Sequence, residues 1–545
     1  MLKLYILGGL DGIGKNMMAL AYRDEMVVID CGIMFPDSDM YGVDKIIPDF
    51  SFLEKHQKQI RGLIVTHGHE DHIGAVAYFL EKINVPIYGT RLTLGLVEHK
   101  LNEKGLKKVQ LKIISETSRL KFKYFQFSFV RVSHSIPDGV MTVIDTPEGT
   151  IVHSGDFKID YTPVDNHVLD MHRLAEIGSK GVTLLLSDST NAVKKGHTLS
   201  ERQVGESFER AFKGIQGRLL VATFSSNIHR IQQAIDVGKR FGRKVSFAGL
   251  SMENTAKIAR RLGYLTFDDS DTVFIGHIDQ FQDNQILILT TGSQGEPLSA
   301  LTRISNGEYR LFQIKKGDTV IISALPIPGN EKMVYATIDK LGRKGIHVIY
   351  EEASKMHVSG HAYSEELKQL QMLLRPKSFI PIHGEFRHLY AHCEIVKELG
   401  VTHDFLIAEN GDVIEVSRKK NLAIVEKLEL HPKYIDSNGV CLEDDALIEE
   451  RRQMANDGVV VFTFYLNHQG DLIEDIRISS RGVSPVPEEF INGLKGSLMD
   501  QYNHMLTRKT LEKELLSIEL EVMVRKYMIK RTGKSPCVIP LIVIK

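Results

Sequence analysis

Six consecutive residues contain four side chains that can bind a metal ion. The stretch H-G-H-E-D-H holds His67, His69, Asp71 and His72. Neutral imidazole suits zinc, and a carboxylate adds a harder oxygen ligand. Ligands at i, i+2, i+4 and i+5 cannot all serve one tetrahedral ion comfortably, so the spacing indicates two neighbouring ions. The alternative is a polar surface loop, which so dense a group of imidazoles disfavours.

The elements predicted around this stretch place it at the edge of a sheet. The apolar run 63–65 predicts a buried strand before it, and apolar residues recur at helical spacing after it, from Ile73 to Leu80. In α/β folds the loop between the carboxyl end of a strand and a helix is a common place for chemistry. His134 and Asp156 also follow predicted strands. Each alone is typical of an ordinary surface residue, but two ions need about six or seven ligands, so both become candidates.

A length of 545 residues predicts about three domains. Strands alternate regularly with helices in the middle of the chain, which predicts an α/β domain inserted into the first one. Ser200 and Gln203 predict a capping box where the insert begins. After the insert, His357, His361 and His383 again lie near predicted strand ends. The first domain is therefore expected at residues 1–200 and 362–430, the insert between them at 201–361, a linker at 431–450 and a small α+β domain at 451–545.

Composition limits the cellular compartment and the class of binding partner that we expect for this chain. A hydrophobic content of 43% and a charged content of 25% are those of a globular protein, and no apolar run is long enough to cross a membrane. The four cysteines form no C-x-x-C pair, so we expect a reduced, cytoplasmic chain without a membrane partner. Net charge is −1, yet residues 192–261 hold 14 Lys or Arg and 5 Asp or Glu, a local balance of +9. That balance predicts either a polyanion partner or a well-solvated helical surface.

Ordered motifs along the chain resemble a known family. H-G-H-E-D-H with His134, Asp156 and His383 resembles the metallo-β-lactamase superfamily, and the insert ending in S-G-H-A resembles its β-CASP branch. Nearly the whole chain is similar to the ribonuclease J family. The further matching motifs are G-I-G-K-N (12–16), H-S-I-P-D (134–138), S-G-D-F-K (154–158), L-S-D-S-T-N-A (186–192), T-F-S-S-N-I-H-R (223–230), T-T-G-S-Q-G-E-P (290–297), P-I-P-G-N-E (326–331), H-V-S-G-H (357–361) and P-I-H-G-E (381–385).

The resemblance implies a fold and a set of metal ligands. The fold is α/β: a metallo-β-lactamase αββα sandwich, an inserted Rossmann-like β-CASP domain and a small α+β C-terminal domain. Two Zn²⁺ per subunit are expected, with Mn²⁺ as the alternative ion. By resemblance one ion has His67, His69 and His134 as ligands, the other has Asp71, His72 and His383, and Asp156 bridges the two. Asp11-Gly12 stands where the family usually has Gly-Glu, a change that removes no ligand.

Further site residues follow from the same resemblance. Asp188 and His361 match the acid/base positions, although Asp188 alone is more typical of a turn cap. A pocket for the 5′-phosphate of RNA is implied at two segments, since hydroxyls, a glycine-exposed backbone and an imidazole can donate to a phosphate. Asp436 matches a position that holds a structural divalent ion, Ca²⁺, in some relatives. The pocket residues are Ser226, Asn227, Ile228, His357, Val358, Ser359, Gly360 and His361.

The function implied is a two-metal ribonuclease. We expect 5′→3′ exoribonuclease activity that prefers 5′-monophosphorylated RNA, together with endoribonuclease activity, in RNA maturation, including rRNA processing, and mRNA decay. Expected partners are single-stranded RNA, further copies of the chain in a homodimer or homotetramer, or a paralogue, within an RNA-degradation complex. The alternatives are a thioester or lactam hydrolase of the same fold, and a weakly active subunit with a mainly structural role. Intact metal-ligand positions argue against the second alternative.

Overall fold

Buried apolar strands at the start of the chain build the first sheet. Leu2, Leu4 and Ile6 are buried, and the strand that carries them pairs with neighbours on both sides. In spatial order, and numbered along the chain, the strands are β21 (Ala423–Lys427), β20 (Asp412–Val416), β1 (Leu2–Gly8), β2 (Met17–Tyr22), β3 (Glu25–Ile29), β5 (Ile60–Ile64), β6 (Ile87–Gly89) and β7 (Leu111–Ile113).

A second sheet packs against the first. Apolar side chains of both sheets, including Leu4, Leu20, Phe127 and Leu184, form one continuous buried core. The strands of the second sheet are β19 (Asp404–Phe405), β18 (Ser378–Ile382), β12 (Val182–Asp188), β11 (Gly149–His153), β10 (Val140–Thr146), β9 (Gln126–Arg131) and β8 (Arg119–Lys121).

Helices cover the outer faces, which completes the predicted αββα sandwich. Leu174, Leu367 and Val396 lie in a core on the outer side of the second sheet. The helices of this sandwich are α1 (Ser51–Lys55), α2 (Glu70–Ile73), α3 (Val76–Lys82), α4 (Arg91–Glu103), α5 (Met171–Lys180), α11 (Ser364–Leu374) and α12 (Phe386–Leu399).

The insert is a parallel sheet between helices, as predicted. Its strands lie in the order β14 (Lys244–Ala248), β15 (Ile286–Thr290), β13 (Leu219–Ala222), β16 (Thr319–Ile322) and β17 (His347–Ile349). Because the chain runs to one side of β13 first and to the other side later, the strand order reverses between β13 and β16. Ligands usually bind at such a point, outside the carboxyl ends of the strands. The helices of the insert are α6 (Arg202–Phe212), α7 (Ile228–Arg240), α8 (Leu250–Arg261), α9 (Ala300–Asn306) and α10 (Glu331–Arg343).

A second unit comprises residues 36–45 and 433–545. Its core holds Phe462, Phe464, Leu498 and Leu520, which come from one strand of a β-hairpin and from two helices. The elements of the C-terminal residues are β22 (Lys433–Ile435), β23 (Cys441–Leu442), α13 (Asp445–Asp457), β24 (Val459–Leu466), β25 (Leu472–Arg481), α14 (Glu488–Thr507), α15 (Lys513–Thr532) and β26 (Cys537–Ile544); a further short strand, β4 (Lys45–Ile47), begins within this unit.

The computed structural model describes residues 1–37, 39–296, 299–326, 330–350, 356–442, 445–483, 488–507 and 513–545. Pro297 and residues 327–329, which belong to two of the matching motifs, lie outside these ranges. No helix within the described ranges is long and apolar enough to span a membrane.

Two local predictions need correction. Residues 431–450 do not form a bare linker, because β22, β23 and the first residues of α13 lie there. Short strands and a polar helix leave little apolar periodicity, which is why the pattern indicated a linker. The capping box is incomplete: the Ser200 hydroxyl accepts from the Arg202 N–H at 3.3 Å and donates to the carbonyl of Thr162 at 2.9 Å, but among the described residues the Gln203 side chain does not bond back to Ser200. The domain boundaries themselves stay predictions.

Candidate metal centre

Seven histidine and aspartate side chains meet at the carboxyl edges of the two sheets. They form two groups that share Asp156, and the ligand atoms within each group lie within 4.8 Å of one another. The H-G-H-E-D-H stretch follows β5, Asp156 follows β11, and His383 follows β18. The division of side chains is the one that the resemblance implies. The first group is His67, His69, His134 and Asp156, and the second is Asp71, His72, Asp156 and His383.

Asp156 lies at the centre of both groups. Its Oδ2 is 3.3 Å from His72 Nε2, 3.4 Å from His383 Nε2 and 3.5 Å from His67 Nε2. Although these atoms are buried, neither Asp156 Oδ2 nor either ring nitrogen of His383 has a hydrogen-bond partner among the described residues. Buried polar atoms are rarely left unpaired. A buried carboxylate surrounded by imidazole nitrogens is the donor set that a divalent cation needs, so these side chains fit a two-ion site.

The outer ring nitrogens are held by neighbouring groups, which leaves the inner nitrogens to converge. His134 Nδ1 donates to the carbonyl of Gly360 at 2.7 Å. His72 Nδ1 lies 2.8 Å from Asp30 Oδ2. Such contacts fix the tautomer and the orientation of a metal-binding imidazole. His134 Nε2 and His72 Nε2 therefore face the inside of the site, where they lie 3.1 Å from His69 Nδ1 and 3.1 Å from the Asn16 side-chain amide, respectively.

Burial and charge set different protonation states in the two groups. Burial lowers the pKa of His69 to about 3 and holds the pKa of His67 and of His134 well below the usual value, so these imidazoles are neutral at pH 7. Burial also lowers the pKa of His72, but the carboxylates of Asp156, Asp71 and Asp30 outweigh it and raise the net value. The second group thus carries the stronger negative field, which a cation would compensate.

A carboxylate–imidazole pair adjoins the metal-ligand groups. His361 Nδ1 lies 2.8 Å from Asp188 Oδ2 and 3.9 Å from Asp156 Oδ2. Burial lowers the pKa of His361, but Asp188 more than offsets this and brings the pKa to about 9. The imidazole is therefore protonated at neutral pH, with Nε2–H left as a proton donor. Asp188 Oδ1 also accepts from the backbone N–H of Thr190 at 3.0 Å, so the turn cap exists as well.

The predicted phosphate-pocket residues lie at the point where the strand order of the insert reverses. Ser226, Asn227 and Ile228 follow β13 and open α7, and the Asn227 side chain caps this helix by accepting from the Arg230 N–H. A helix N-terminus presents unpaired N–H groups and partial positive charge to an anion. We call residues 357–361 the strap. Its Ser359 hydroxyl accepts from the Asn191 amide at 2.6 Å, next to the Asp188 turn.

Comparison with known proteins decides the family. Models match for the metallo-β-lactamase superfamily at residues 10–180, the β-CASP domain of ribonuclease J at 216–341, a Zn-dependent metallo-hydrolase RNA specificity domain at 345–405 and the ribonuclease J C-terminal domain at 446–544. Ribonuclease J of Helicobacter pylori is 40% identical over 98% of this chain and 79% of its own length. The chain belongs to the ribonuclease J family.

Membership of the ribonuclease J family fixes the general function. The chain is a hydrolase that acts on RNA, binds RNA and uses divalent metal ions. The rival prediction of a thioester or lactam hydrolase is wrong, because the β-CASP and RNA specificity models both match. Ribonuclease J2 of Bacillus subtilis is 37% identical over 99% of this chain and 98% of its own length. A crystal structure of a protein of unknown function from Enterococcus faecalis shares the fold, with a TM-score of 0.54, 16% identity, and coverage of 76% of this chain and 99% of that one.

Three of the fourteen basic residues in the basic span of this ribonuclease J insert are buried, and the other eleven are exposed or partly exposed. Arg218, Arg230 and Arg243 are buried and bind carboxylates or carbonyls of the insert and its borders. Others in the span pair with acidic groups outside it, as Lys239 does with Asp271 and Arg261 with Glu98. The local balance of +9 therefore overstates the charge at the surface, because net charge along the sequence cannot distinguish buried from exposed arginines. An RNA-binding face on this span stays a prediction.

Two other sequence-based predictions concern Asp11, beside the site, and Asp436, outside it. Asp11 has φ +55°, a left-handed conformation that suits the glycine usual in the ribonuclease J family and that Asp tolerates better than most residues. Asp436 Oδ1 accepts from the N–H groups of Asn438 and Val440. Within the described ranges no cluster of three or more potential ligand side chains includes Asp436, so the calcium site stays a prediction.

Sequence reasoning missed several residues that orient the site. Asp30 has φ +58°, accepts from the Thr66 N–H at 2.8 Å and holds His72. The sequence did contain a signal for Asp30: it follows the apolar run of β3 in the motif D-C-G, just as His134 and Asp156 follow apolar runs of their own. Arg230 and Glu201 were also missed, since their contact joins segments that nothing in the sequence pattern brings together.

Proposed function

We propose that this chain is a two-metal ribonuclease that removes nucleotides from the 5′ end of RNA, prefers a 5′-monophosphate and also cuts internally. The observation that carries this proposal is the strap. Its His357 and Val358 border the N-terminus of α7, while its Gly360 and His361 touch a metal-ligand imidazole and the acid/base carboxylate. A phosphate bound at α7 would therefore lie a short, fixed distance from the reacting centre.

The seven converging side chains would hold two divalent ions, which we propose to be Zn²⁺, with Mn²⁺ as the alternative. When bound, such a pair activates water and stabilises negative charge at a phosphodiester. Asp156 is proposed as the shared ligand, because its Oδ2 is central to both groups. Asp30 and the Gly360 carbonyl keep His72 and His134 turned toward the ions.

Asp188 and His361 are proposed as the acid that assists the leaving group. When the phosphodiester bond breaks, the 3′-oxygen that departs needs a proton. The His361 Nε2–H can supply it, because Asp188 keeps the ring charged and fixes its orientation through Nδ1. Asp188 is in turn held by the Thr190 N–H and hydroxyl at 3.0 and 2.8 Å, so the pair is rigid.

End recognition and internal cutting would use the same centre differently. Ser226, Asn227 and the strap would bind a 5′-monophosphate through hydroxyl, amide and backbone donors. A 5′-triphosphate is larger and more charged, so it would fit the same pocket less well. Internal cutting needs only that a strand pass the centre without its end entering the pocket.

Wider roles are proposed on family membership. We propose single-stranded RNA as the substrate, action in RNA maturation, including rRNA processing, and mRNA decay, and a cytoplasmic location. We further propose assembly as a homodimer or homotetramer, or with a paralogue, and participation in an RNA-degradation complex. A mainly structural subunit is the second candidate, but the full set of convergent ligand side chains favours an active enzyme.

One experiment separates these functions. The purified chain is incubated with one RNA carrying a 5′-monophosphate or a 5′-triphosphate, with zinc or manganese, and the product sizes are read from labelled RNA. Mononucleotide release that is faster from the monophosphate form is expected. Internal fragments alone would contradict the exonuclease proposal, and no cleavage with full metal content would favour the structural subunit.

A further inference from the structure

Arg230 is fully buried, and its guanidinium joins three separate segments of the chain. Its Nε and Nη2 donate to the carboxylate of Glu201 at 2.9 and 3.1 Å. Its Nη1 donates to the carbonyl of Ser323 at 2.7 Å, and its Nη2 also donates to the carbonyl of Val358 at 3.2 Å. His357 Nδ1 lies 2.8 Å from Nη1. A planar fork with five donors is the group best suited to fix several acceptors at once.

The three segments are the borders of the proposed phosphate pocket. Glu201 immediately precedes α6, where the chain enters the insert, and its N–H donates to Asp160 of the sandwich at 3.1 Å. Ser323 follows β16, at the point where the strand order reverses. Val358 belongs to the strap, on which the chain returns to the sandwich. Arg230 itself lies in the first turn of α7, directly behind Ser226 and Asn227.

The other end of the strap, Gly360 and His361, packs against the candidate metal centre. A Cβ on Gly360 would lie 2.6 Å from Cε1 of His134, closer than real contacts allow, so the strap backbone packs directly against a metal-ligand imidazole. The Gly360 carbonyl accepts from the same ring, and the next residue, His361, binds Asp188. Gly360 and His361 are therefore held at the reacting centre by their own contacts, whereas His357 and Val358, at the pocket end of the strap, are held by Arg230.

Stability alone does not account for this buried ion pair. A buried pair often stabilises a fold no better than packed apolar side chains would. The insert has a second pair of the same kind, Arg218 with Asp318 at 2.9 and 2.7 Å, but it lies at the amino ends of β13 and β16, away from the pocket. The two pairs share burial and geometry and differ in what surrounds them.

We propose that Arg230, anchored by Glu201, is a positioning residue that sets the strap against the N-terminus of α7 and so determines recognition of the 5′ end. This inference rests on the proposed 5′-end preference. Arg230 does not touch the substrate; it acts through Val358, His357 and Ser323. Its loss should impair use of the 5′-phosphate much more than it impairs cutting at internal sites.

The test compares two matched double variants of the full chain. Glu201→Gln with Arg230→Gln removes the charges together, and Arg218→Gln with Asp318→Asn does the same for the distant pair. For each we measure KM and kcat on 5′-monophosphorylated and 5′-hydroxyl forms of one RNA, internal cutting of a circular RNA, metal content and melting temperature. Misplacement of about an ångström costs on the order of 100-fold, so the end preference of the first variant should fall by roughly 10- to 100-fold.

The possible results separate a failure of the Arg230 positioning role from a failure of the proposed 5′-end preference. The positioning role is supported if the preference for 5′-monophosphorylated RNA falls only in the Glu201/Arg230 variant, mainly through KM. The same variant should keep its cutting of circular RNA and its metal content. An unchanged preference, or an equal fall in the Arg218/Asp318 variant, would overturn the positioning role. A wild-type chain with no end preference would overturn the proposed function and this inference with it. Should the double variant not fold, Arg230→Lys keeps the charge but not the fork, and its preference should also fall.

Discussion

Asp188 uses each carboxylate oxygen for a different purpose. Oδ1 accepts from the N–H and hydroxyl of Thr190, while Oδ2 faces His361 Nδ1. The two interpretations of this residue, a turn cap and an acid/base partner, are therefore compatible in geometry. The sequence could not separate them, because one follows from the local D-S-T pattern and the other depends on His361, at the far end of the insert.

Asp188→Asn separates the two tasks of this side chain. An amide oxygen can still cap the turn, so we expect the variant to fold and keep its metal content. Without the carboxylate, burial lowers the pKa of His361 from its raised value near 9, so the protonated imidazole is lost at a lower pH. The alkaline limb of the pH–rate profile should move to lower pH and the rate should fall by about 100-fold or more.

Ser189→Ala is the matched control, since the Ser189 hydroxyl lies 3.0 Å from His392 Nδ1 instead. Its pH–rate profile should be that of the wild type. An unshifted alkaline limb in Asp188→Asn would show that His361 is not the proton donor.

His392 predicts a pH dependence of stability that is separate from catalysis. Burial lowers its pKa to about 3, whereas the unfolded chain titrates near the usual value of about 6.5. The neutral ring is compatible with the fold above pH 6.5, and stability is lost as pH falls from there toward 3. Relative to His392→Gln, the free energy of unfolding of the wild type should fall by about 2 kcal/mol between pH 7.5 and 5.

Urea unfolding at several pH values, with metal removed from both proteins, measures this difference. A gap between wild type and variant that does not change with pH would contradict a buried neutral His392.

At the scale of elements, the apolar run 63–65 predicted β5, which the structure places at Ile60–Ile64. β12 reaches Asp188 and pairs with β18 as far as Ile382, but the polar residues at its end carry no apolar pattern that could predict this. The convergence of the candidate ligand side chains was predictable, because most of them follow apolar runs. Asp30 was overlooked, and the Arg230–Glu201 contact could not be predicted, because periodicity says nothing about which distant segments meet.

The N-terminus of α7 gives a prediction at this scale. Ser226 is half-buried beside the Asn227 cap, where its hydroxyl can donate to a phosphate. A hydrogen bond to a charged group is worth about 1.5–3 kcal/mol, so Ser226→Ala should lower the preference for 5′-monophosphate RNA by roughly 10- to 100-fold. Paired assays on monophosphate and triphosphate forms of one RNA measure it.

Ser225→Ala is the control, because the Ser225 hydroxyl lies 2.9 Å from that of Ser251. Equal effects of the two substitutions would argue that the helix end, and not a specific contact at Ser226, is disturbed.

At the scale of the molecule, the candidate metal centre belongs to one of the two compact units. The seven converging side chains all belong to the unit formed by residues 1–35 and 46–432, and the second unit has a core of its own. The sequence predicted a separate small α+β domain at the C-terminal end.

A chain that ends at residue 432 should therefore keep its metal content and its internal cutting. Elemental analysis and cleavage of circular RNA test this, and light scattering reports whether assembly is lost. Failure to bind metal in a folded truncated chain would mean that the second unit completes the centre.

The position of His383 has a consequence for biosynthesis. Six of the converging side chains lie before the insert, and His383 lies after it. Domains tend to fold in the order in which a ribosome releases them. The centre therefore stays incomplete until translation has passed the whole insert, so a growing chain does not present a finished nuclease to the messenger that encodes it.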